Sequence, residues 1–591
     1  MHATHGNHRK QPFTAKRGAS IRIALLAIGM GASTAQATPE YLIVGDTQGG
    51  ASHCQYSTIQ DALNAALDNG PDLDYVLVTN TASYTGVALV VGDQSVLIEG
   101  GYDDCDLTFI GPRATIIGDQ VSSVVDVQTG SSGGREITLR HLDLSQGDAS
   151  YGGGVFIFGN SLAPPYVLIE DVLVHDNSAV FGGGIASAFA TLAIGKDVGV
   201  LDNTARRLGG GMFLQGGTVR IENDRTTVTH NHAQFNIMQL PSGQGGGIFA
   251  QGLPGAALDV SIGSWQYNAG DPRPSITGFV VSDNRADDKG GGLYLSDGNV
   301  QVIAFETVLE DNSAANGGGG VFIYKGGTLQ MSRDFSGSPL APQCAQYLQC
   351  NVIRNNSVDP HNNYVASGGG ISMQVGTLRL IQTALLENTA DAGSAIDTGN
   401  INGAANPPNT VRLQGVLASD NHCVHTSNYT PCATIDLGAG ADARISYTTI
   451  AGNTHLGSTP AEIYAYAPAP ASLTLLSSIV FNESSLVGAV FSGGGELYQT
   501  DCVISSSALL PLGTLNMFAN PGFNNPAAHD YRLRTESLAT DYCDNGYTSS
   551  DDFTDLAFYP RGFDDLRHAN LHGTFDVGAF ESDHVFGGSH D

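Results

Sequence analysis

Stretches such as VLIEDVLVHDN (167–177), GTVRIENDRTTVTHN (217–231), ITGFVVSDN (276–284) and GTLRLIQTALLEN (376–388) alternate apolar and polar residues. A period of two marks strands with one face turned inward. No amphipathic helical stretch separates these segments, so each unit holds two or three short strands joined by turns. The punctuation between them is regular. DNSAVFGGGIASA (176–188), DNTARRLGGGMFL (202–214), DNRADDKGGGLYL (283–295) and DNSAANGGGGVFI (311–323) each run from an Asn through a variable turn to a glycine run and an aliphatic residue. Looser copies follow around 230–250, 355–373, 387–399, 420–438 and 452–466, and SQGDASYGGGVFIFG (145–159) carries Gly147 where the Asn would stand.

The anchoring asparagines are Asn177, Asn203, Asn231, Asn284, Asn312, Asn356, Asn388, Asn421 and Asn453, at intervals of 26, 28, 53, 28, 44, 32, 33 and 32 residues. A base period near 28 with insertions is the signature of a repeat array. The interval of 53 fits either two repeats or one with a long loop. An aliphatic residue stands three before most of these asparagines: Val174, Val200, Val228, Val281, Leu309, Ile353, Leu385 and Ile450, with Ala418 the exception.

Strands that repeat without a crossover helix predict an all-β fold, a right-handed parallel β-helix (solenoid) in which each turn stacks on the last. Stacked about 4.8 Å apart, the asparagines are expected to form an amide ladder. Asn also tolerates left-handed backbone angles. The glycines allow a sharp bend and close backbone approach, and the aliphatic residue after them points into the core. On this reading the motif is a scaffold element. A flexible linker would lack the phased Asn, and propeller blades need about 40 residues or more.

The ends differ from the array. Residues 1–37 read as a signal peptide: Arg9, Lys10, Lys16 and Arg17 precede the apolar run IRIALLAIGMGA, and AQA at 35–37 offers a cleavage site. The protein is therefore expected to be secreted or held at a bacterial surface. Residues 38–520 form the predicted β-helix and 521–591 a loop-rich C-terminal cap. YSTIQDALNAALDNG (56–70), with Ile59, Leu63, Ala66 and Leu67 at helical spacing, predicts a short capping helix.

Charge and cysteine narrow the partners. Acidic residues number 57 and basic 26, a formal net charge of −31, which repels nucleic acid and anionic lipid. No further stretch is long and apolar enough to span a membrane. Eight cysteines in an exported chain point to disulfides, and proximity favours Cys54–Cys105, Cys344–Cys350, Cys423–Cys432 and Cys502–Cys543. No spacing of metal-ligating residues appears, although the acidic surface leaves Ca²⁺ open as a cofactor. A monomer is expected.

The Asn–Gly-Gly-Gly–aliphatic unit resembles the repeat of the polymorphic outer-membrane proteins. The ending DYRL…SLATDYCDNG…FDVGAFE is similar to that of the choice-of-anchor β-helix proteins. Its matching residues are Asp530, Tyr531, Arg532, Leu533, Ser537, Asp541, Asp576, Gly578, Ala579, Phe580 and Glu581, while Ala-Thr replaces the usual Pro-Ala-Ile. These resemblances imply a pectate-lyase-like fold, in families that mix enzymes, adhesins and scaffolds.

Candidate chemistry is sparse. Asp283, Arg285, Asp287, Asp288 and Lys289 share one turn, and Arg207 lies in the corresponding loop of another repeat. A lyase base or paired carboxylates would need such groups on one face, yet charged turn tips are ordinary. HNH (230–232) reads as the repeat's turn rather than a nuclease motif. Trp265 and Tyr267, in the longest insertion, offer rings for a sugar. The expectation is a non-catalytic scaffold that binds polysaccharide or cell-surface glycans through its turn loops. The alternative is a polysaccharide lyase or glycoside hydrolase.

Overall fold

Each repeat lays its alternating segments against the same segments of the next, in parallel and in register. Ile185 pairs with Met212, and the row continues through Ile248, Leu293, Val321, Ile371, Ile396, Ile435, Ile463 and Val490. A second row joins Val174, Val200, Val228, Val281, Leu309, Ile353, Leu385, Ala418, Ile450 and Val480. Both rows lie in one apolar core, because successive strand residues face opposite sides and these share the inward parity. Ala418, the odd residue in the sequence pattern, occupies the same inward position as its aliphatic counterparts.

The computed structural model describes residues 39–581 except positions 71, 81, 109, 223 and 485 and the stretches 48–53, 131–133, 237–240, 264–277, 333–350, 359–364, 400–408, 425–431, 457–459, 466–471, 493–496, 508–514, 544–553, 558–560 and 562–569. The leader, Trp265, Tyr267, Cys344 and Cys350 lie outside the described residues. The chain divides into Met1–Thr38 and Pro39–Asp591, and the fold is that of the second unit. It is all-β, of parallel strands in stacked sheets compatible with a β-helix. Ten short strands, from Asp148–Tyr151 to Thr454–His455, form one sheet in strict chain order.

One α-helix is present among the described residues, Ile59–Asn69, whose N-cap Thr58 accepts from the Asp61 amide. Ile59, Ala62, Leu63 and Ala66 bury into the core. Leu67, expected inward, is 46% exposed, because the buried stripe advances through Ala62 and leaves Leu67 on its shoulder. At the other end the strand Phe523–Asn525 pairs antiparallel with Asp530–Leu533. The residues of the terminal motif dock on the array. The Gly578 amide donates to the Ser477 carbonyl and the Ala579 amide to Thr449 Oγ1, both at 2.9 Å. Tyr531, Leu533, Ala579 and Phe580 join Leu417, Ala451, Ile479 and Ile504 in a second apolar cluster.

The nine asparagines are buried and linked without a break from Asn177 to Asn453. Asn312 shows the pattern. Its Oδ1 accepts from the backbone amide and Nδ2 of Asn284, and its Nδ2 donates to Asn356 Oδ1 and the Val281 carbonyl. All four hydrogen-bonding functions of the amide are used. Asn231 and Asn284 are direct neighbours, so the 53-residue interval is one repeat with insertions.

The ladder opens where the Gly147 amide donates to Asn177 Oδ1. It closes on Glu462, which accepts from Asn453, Asn482 and Thr434. Burial pushes the Glu462 carboxyl up to about 7 against the pull of those hydrogen bonds.

The left-handed backbone lies one residue earlier than expected. The asparagines do not adopt it; Asp176, Asp202, His230, Asp283, Asp311, Asn355, Glu387 and Asp420 do, with φ of 52–57°. Asp and Asn are the side chains that best tolerate this conformation, which turns the next residue's amide into the stack. The glycines have two jobs. Gly182 has φ of 66°, whereas a Cβ on Gly183 would sit 2.4 Å from the Gly210 carbonyl oxygen.

Asn312→Ala would orphan two donors of Asn284 and the Val281 carbonyl. A loss of about 3 kcal/mol or more is expected. Asn316→Ala, at the rim of the same turn, should change stability by no more than about 0.5 kcal/mol. Urea denaturation of both variants checks the contrast.

Candidate functional site

The strands after the glycine runs carry two outward rows. In the first, Ala186, Phe213, Phe249, Tyr294, Phe322, Ser372, Asp397, Asp436 and Tyr464 are in register. In the second, two residues on, Ala188 is followed by Gln215, Gln251, Ser296, Tyr324 and Gln374. Parallel in-register pairing makes like side chains stack. Phe213, Phe249, Tyr294 and Phe322 lie with successive ring centroids 5.6, 5.0 and 5.2 Å apart. Gln215 Nε2 donates to Gln251 Oε1, and Gln251 Nε2 to Asp297 Oδ2, each at 3.0 Å.

Beside these rows a cleft of about 430 Å³ is lined by the rings of Phe249, Tyr294 and half-buried Tyr324 and by the polar groups of Gln251, Asp297 and Lys289. Cations cap the aromatic stack. Lys289 Nζ stands 4.9 Å above the Phe322 ring. Lys325 lies 5.0 Å over Tyr324 and 3.9 Å from Asp297.

The charged residues singled out in the sequence separate along the turn edge. Asp283 is exposed and serves as the left-handed residue before Asn284. Asp287 accepts from His232 at 2.9 Å, from the Phe235 amide at 3.1 Å and from exposed Arg285 at 3.2 Å. Burial alone would raise its carboxyl, but the His232 and Phe235 hydrogen bonds and the positive charges of His232 and Arg285 hold it at about 2. Asp288 is taken by Gln244 and Asn316, both at 3.0 Å. Arg207 donates to the Pro241 carbonyl and covers the Phe181 ring. Of the six, only Lys289 reaches the cleft. His230 is the left-handed residue before ladder Asn231, and His232 opens the short strand His232–Ala233 after it, so HNH is part of the repeat.

A more chemically distinctive pair escaped the sequence reading. Asp397 and Asp436 are register partners on adjacent strands. Asp397 accepts from Ser367 at 2.7 Å and Ser372 at 3.2 Å. Burial raises its carboxyl against those hydrogen bonds. Burial, then the neighbouring Asp397 charge, pushes Asp436 well above the carboxylate range. The signal was present. Aligning AIDTG (395–399) and TIDLG (434–438) with GGGMFL places both aspartates at the position of Phe213.

Cys54–Cys105, Cys423–Cys432 and Cys502–Cys543 are disulfide-bonded. Among the described residues, no group of three or more His, Cys, Asp or Glu is arranged to hold a metal ion, and no helix is long and apolar enough to cross a membrane. No protein-family model matches the chain, and neither a curated protein nor a solved structure does. The likeness to the outer-membrane repeats and to the choice-of-anchor ending rests on the quoted motifs.

Both aspartates bind protons more tightly folded than unfolded, so their contribution to stability falls as pH rises above about 4. Asp436→Asn removes the like charge. It should raise the thermal midpoint at pH 7 and leave it nearly unchanged at pH 3, as differential scanning calorimetry at the two pH values would show.

Proposed function

We propose that the chain is an exported right-handed parallel β-helix of pectate-lyase-like kind, and that it is a non-catalytic scaffold binding polysaccharide or cell-surface glycans. The apolar leader with its AQA site supports export, and the disulfides fit an oxidising compartment. The binding reading is carried by the cleft at Phe249, Tyr294 and Tyr324. The half-buried Tyr324 ring, beside the edges of the stacked Phe249 and Tyr294 rings, offers apolar surface to the C–H face of a sugar, while the Gln251 amide and the Asp297 carboxylate offer planar hydrogen-bonding groups to its hydroxyls. An aromatic ring recurs on four successive rungs, from Phe213 to Phe322, which suits a repeating ligand. The cleft adjoins the turn edge through Gln244 and Lys289, so the turn loops contribute its rim rather than the whole site.

Asp397 and Asp436 favour a second reading, glycoside hydrolysis. Parallel pairing sets the two aspartates on adjacent rungs, whose backbones lie about 4.8 Å apart. Hydrolases flank the scissile bond with such a pair. Lyase chemistry has less support, since Arg207 and Arg285 are engaged by the Pro241 carbonyl and Asp287.

Glycan-array retention of the chain from Thr38 onward tests the scaffold. The double variant Tyr324→Ala, Gln251→Ala should bind about tenfold more weakly; retention unchanged in that variant would remove the cleft from the proposal. Release of reducing ends from any polysaccharide, abolished by Asp397→Asn, would replace the scaffold with a hydrolase.

A further inference from the structure

A second cavity lies where the C-terminal hairpin meets the end of the asparagine ladder. Its volume is about 710 Å³, larger than the aromatic cleft. The hairpin is seated there by specific contacts. Tyr531 Oη donates to Asp420 Oδ1 at 2.9 Å, and His529 Nδ1 lies 2.9 Å from the same oxygen. Burial, with the Asp420 charge and hydrogen bond, raises the Tyr531 phenol, which keeps it a donor. A Cβ on Gly452 would fall 1.8 Å from the Tyr531 hydroxyl, so the residue before Asn453 is a glycine where earlier repeats use Asp, Glu, Asn or His.

The cavity wall is built. Asn453, Asn482 and Tyr531 line it while more than nine-tenths buried. Asn453 and Asn482 are held by Glu462 behind them. Toward the cavity the groups left over are of three kinds. Arg534 and Glu483 are exposed there and have no ion pair among the described residues. Asn525 caps the short 3-10 turn Pro526–Ala528 without using its side chain. Half-buried Phe481 supplies apolar surface, fixed in place by buried Phe523, whose ring it meets edge to face with centroids 6.1 Å apart.

We propose that this cavity is a second binding site, taking a neutral saccharide unit against the half-buried Phe481 ring and the polar groups of Glu483, Asn525 and Arg534. A guanidinium, a carboxylate and an amide are each planar and able to engage neighbouring hydroxyls in pairs, and the Phe481 ring offers apolar surface to a sugar's C–H face. Asp420 and Glu483 line the cavity together with Arg534, which disfavours a strongly anionic ligand. The site shares no residue with the aromatic cleft, so either can fail without the other.

Saturation-transfer NMR on the chain from Thr38, with glucose, galactose, mannose and N-acetylglucosamine as probes, tests it. At least one sugar should receive saturation. The exposed double variant Arg534→Ala, Glu483→Gln should weaken that binding about tenfold or more with an unchanged circular-dichroism spectrum, while Tyr324→Ala leaves it intact. Transfer to none of the sugars would overturn the proposal, as would transfer unaltered in the double variant. Transfer to glycine or alanine alone would assign the cavity instead to a zwitterion.

Discussion

A stack of parallel strands must turn a corner in every repeat, and at the corner the backbone leaves its ladder while still buried. Unpaired amides and carbonyls there would cost about 1–3 kcal/mol each. The asparagine side chain removes that cost at nine successive corners. Its carbonyl accepts the backbone amide of the previous Asn, and its amide nitrogen serves both the next Asn and a backbone carbonyl. The bonds run between repeats, so each rung is satisfied only by its neighbour, and the array holds together as a series of interfaces. Where the series stops, at Gly147 and Glu462, the end residues accommodate what is left: a bare backbone amide at one end and a buried carboxyl collecting three donors at the other.

The local residues follow from that constraint. To aim each amide into the stack, the preceding residue takes a left-handed conformation, which explains the run of Asp at that position better than surface charge does. At Gly452 a different demand prevails, because Tyr531 rests on its α-carbon. The glycine run combines a left-handed turn with contact between backbones too close for a β-carbon. Both demands are steric and independent of ligand. The motif that dominates the sequence is architectural, and candidate function lies in positions it leaves free.

Those free positions are the outward rows beside it. In-register stacking multiplies whatever side chain a row carries: four aromatic rings, then a serine, then two aspartates. The same geometry that favours stacked rings sets Asp397 against Asp436, whose proximity is electrostatically unfavourable unless protons are retained. A structural register thus generates a pair of carboxyls that both hold their protons more tightly than usual.

The sequence by itself determined the elements and their phase. Period-two alternation, Asn spacing and inward aliphatics are local patterns repeated many times, so each copy reinforced the others and even Ala418 fell into place. The helix within 56–70 was legible from its apolar stripe, though the exposure of Leu67 was not, since one more turn decides which shoulder of a helix is wet. Tertiary structure decided what stands beside what. That Asn231 touches Asn284 across 53 residues, that Asp287 is tied to His232, that the terminal motif docks on Thr449 and Ser477, and that Asp397 abuts Asp436 all depend on rung-to-rung register. Insertions change the distance between neighbours along the chain without changing the neighbours, and hydrogen-bond register in space, rather than spacing in sequence, selects which side chains meet.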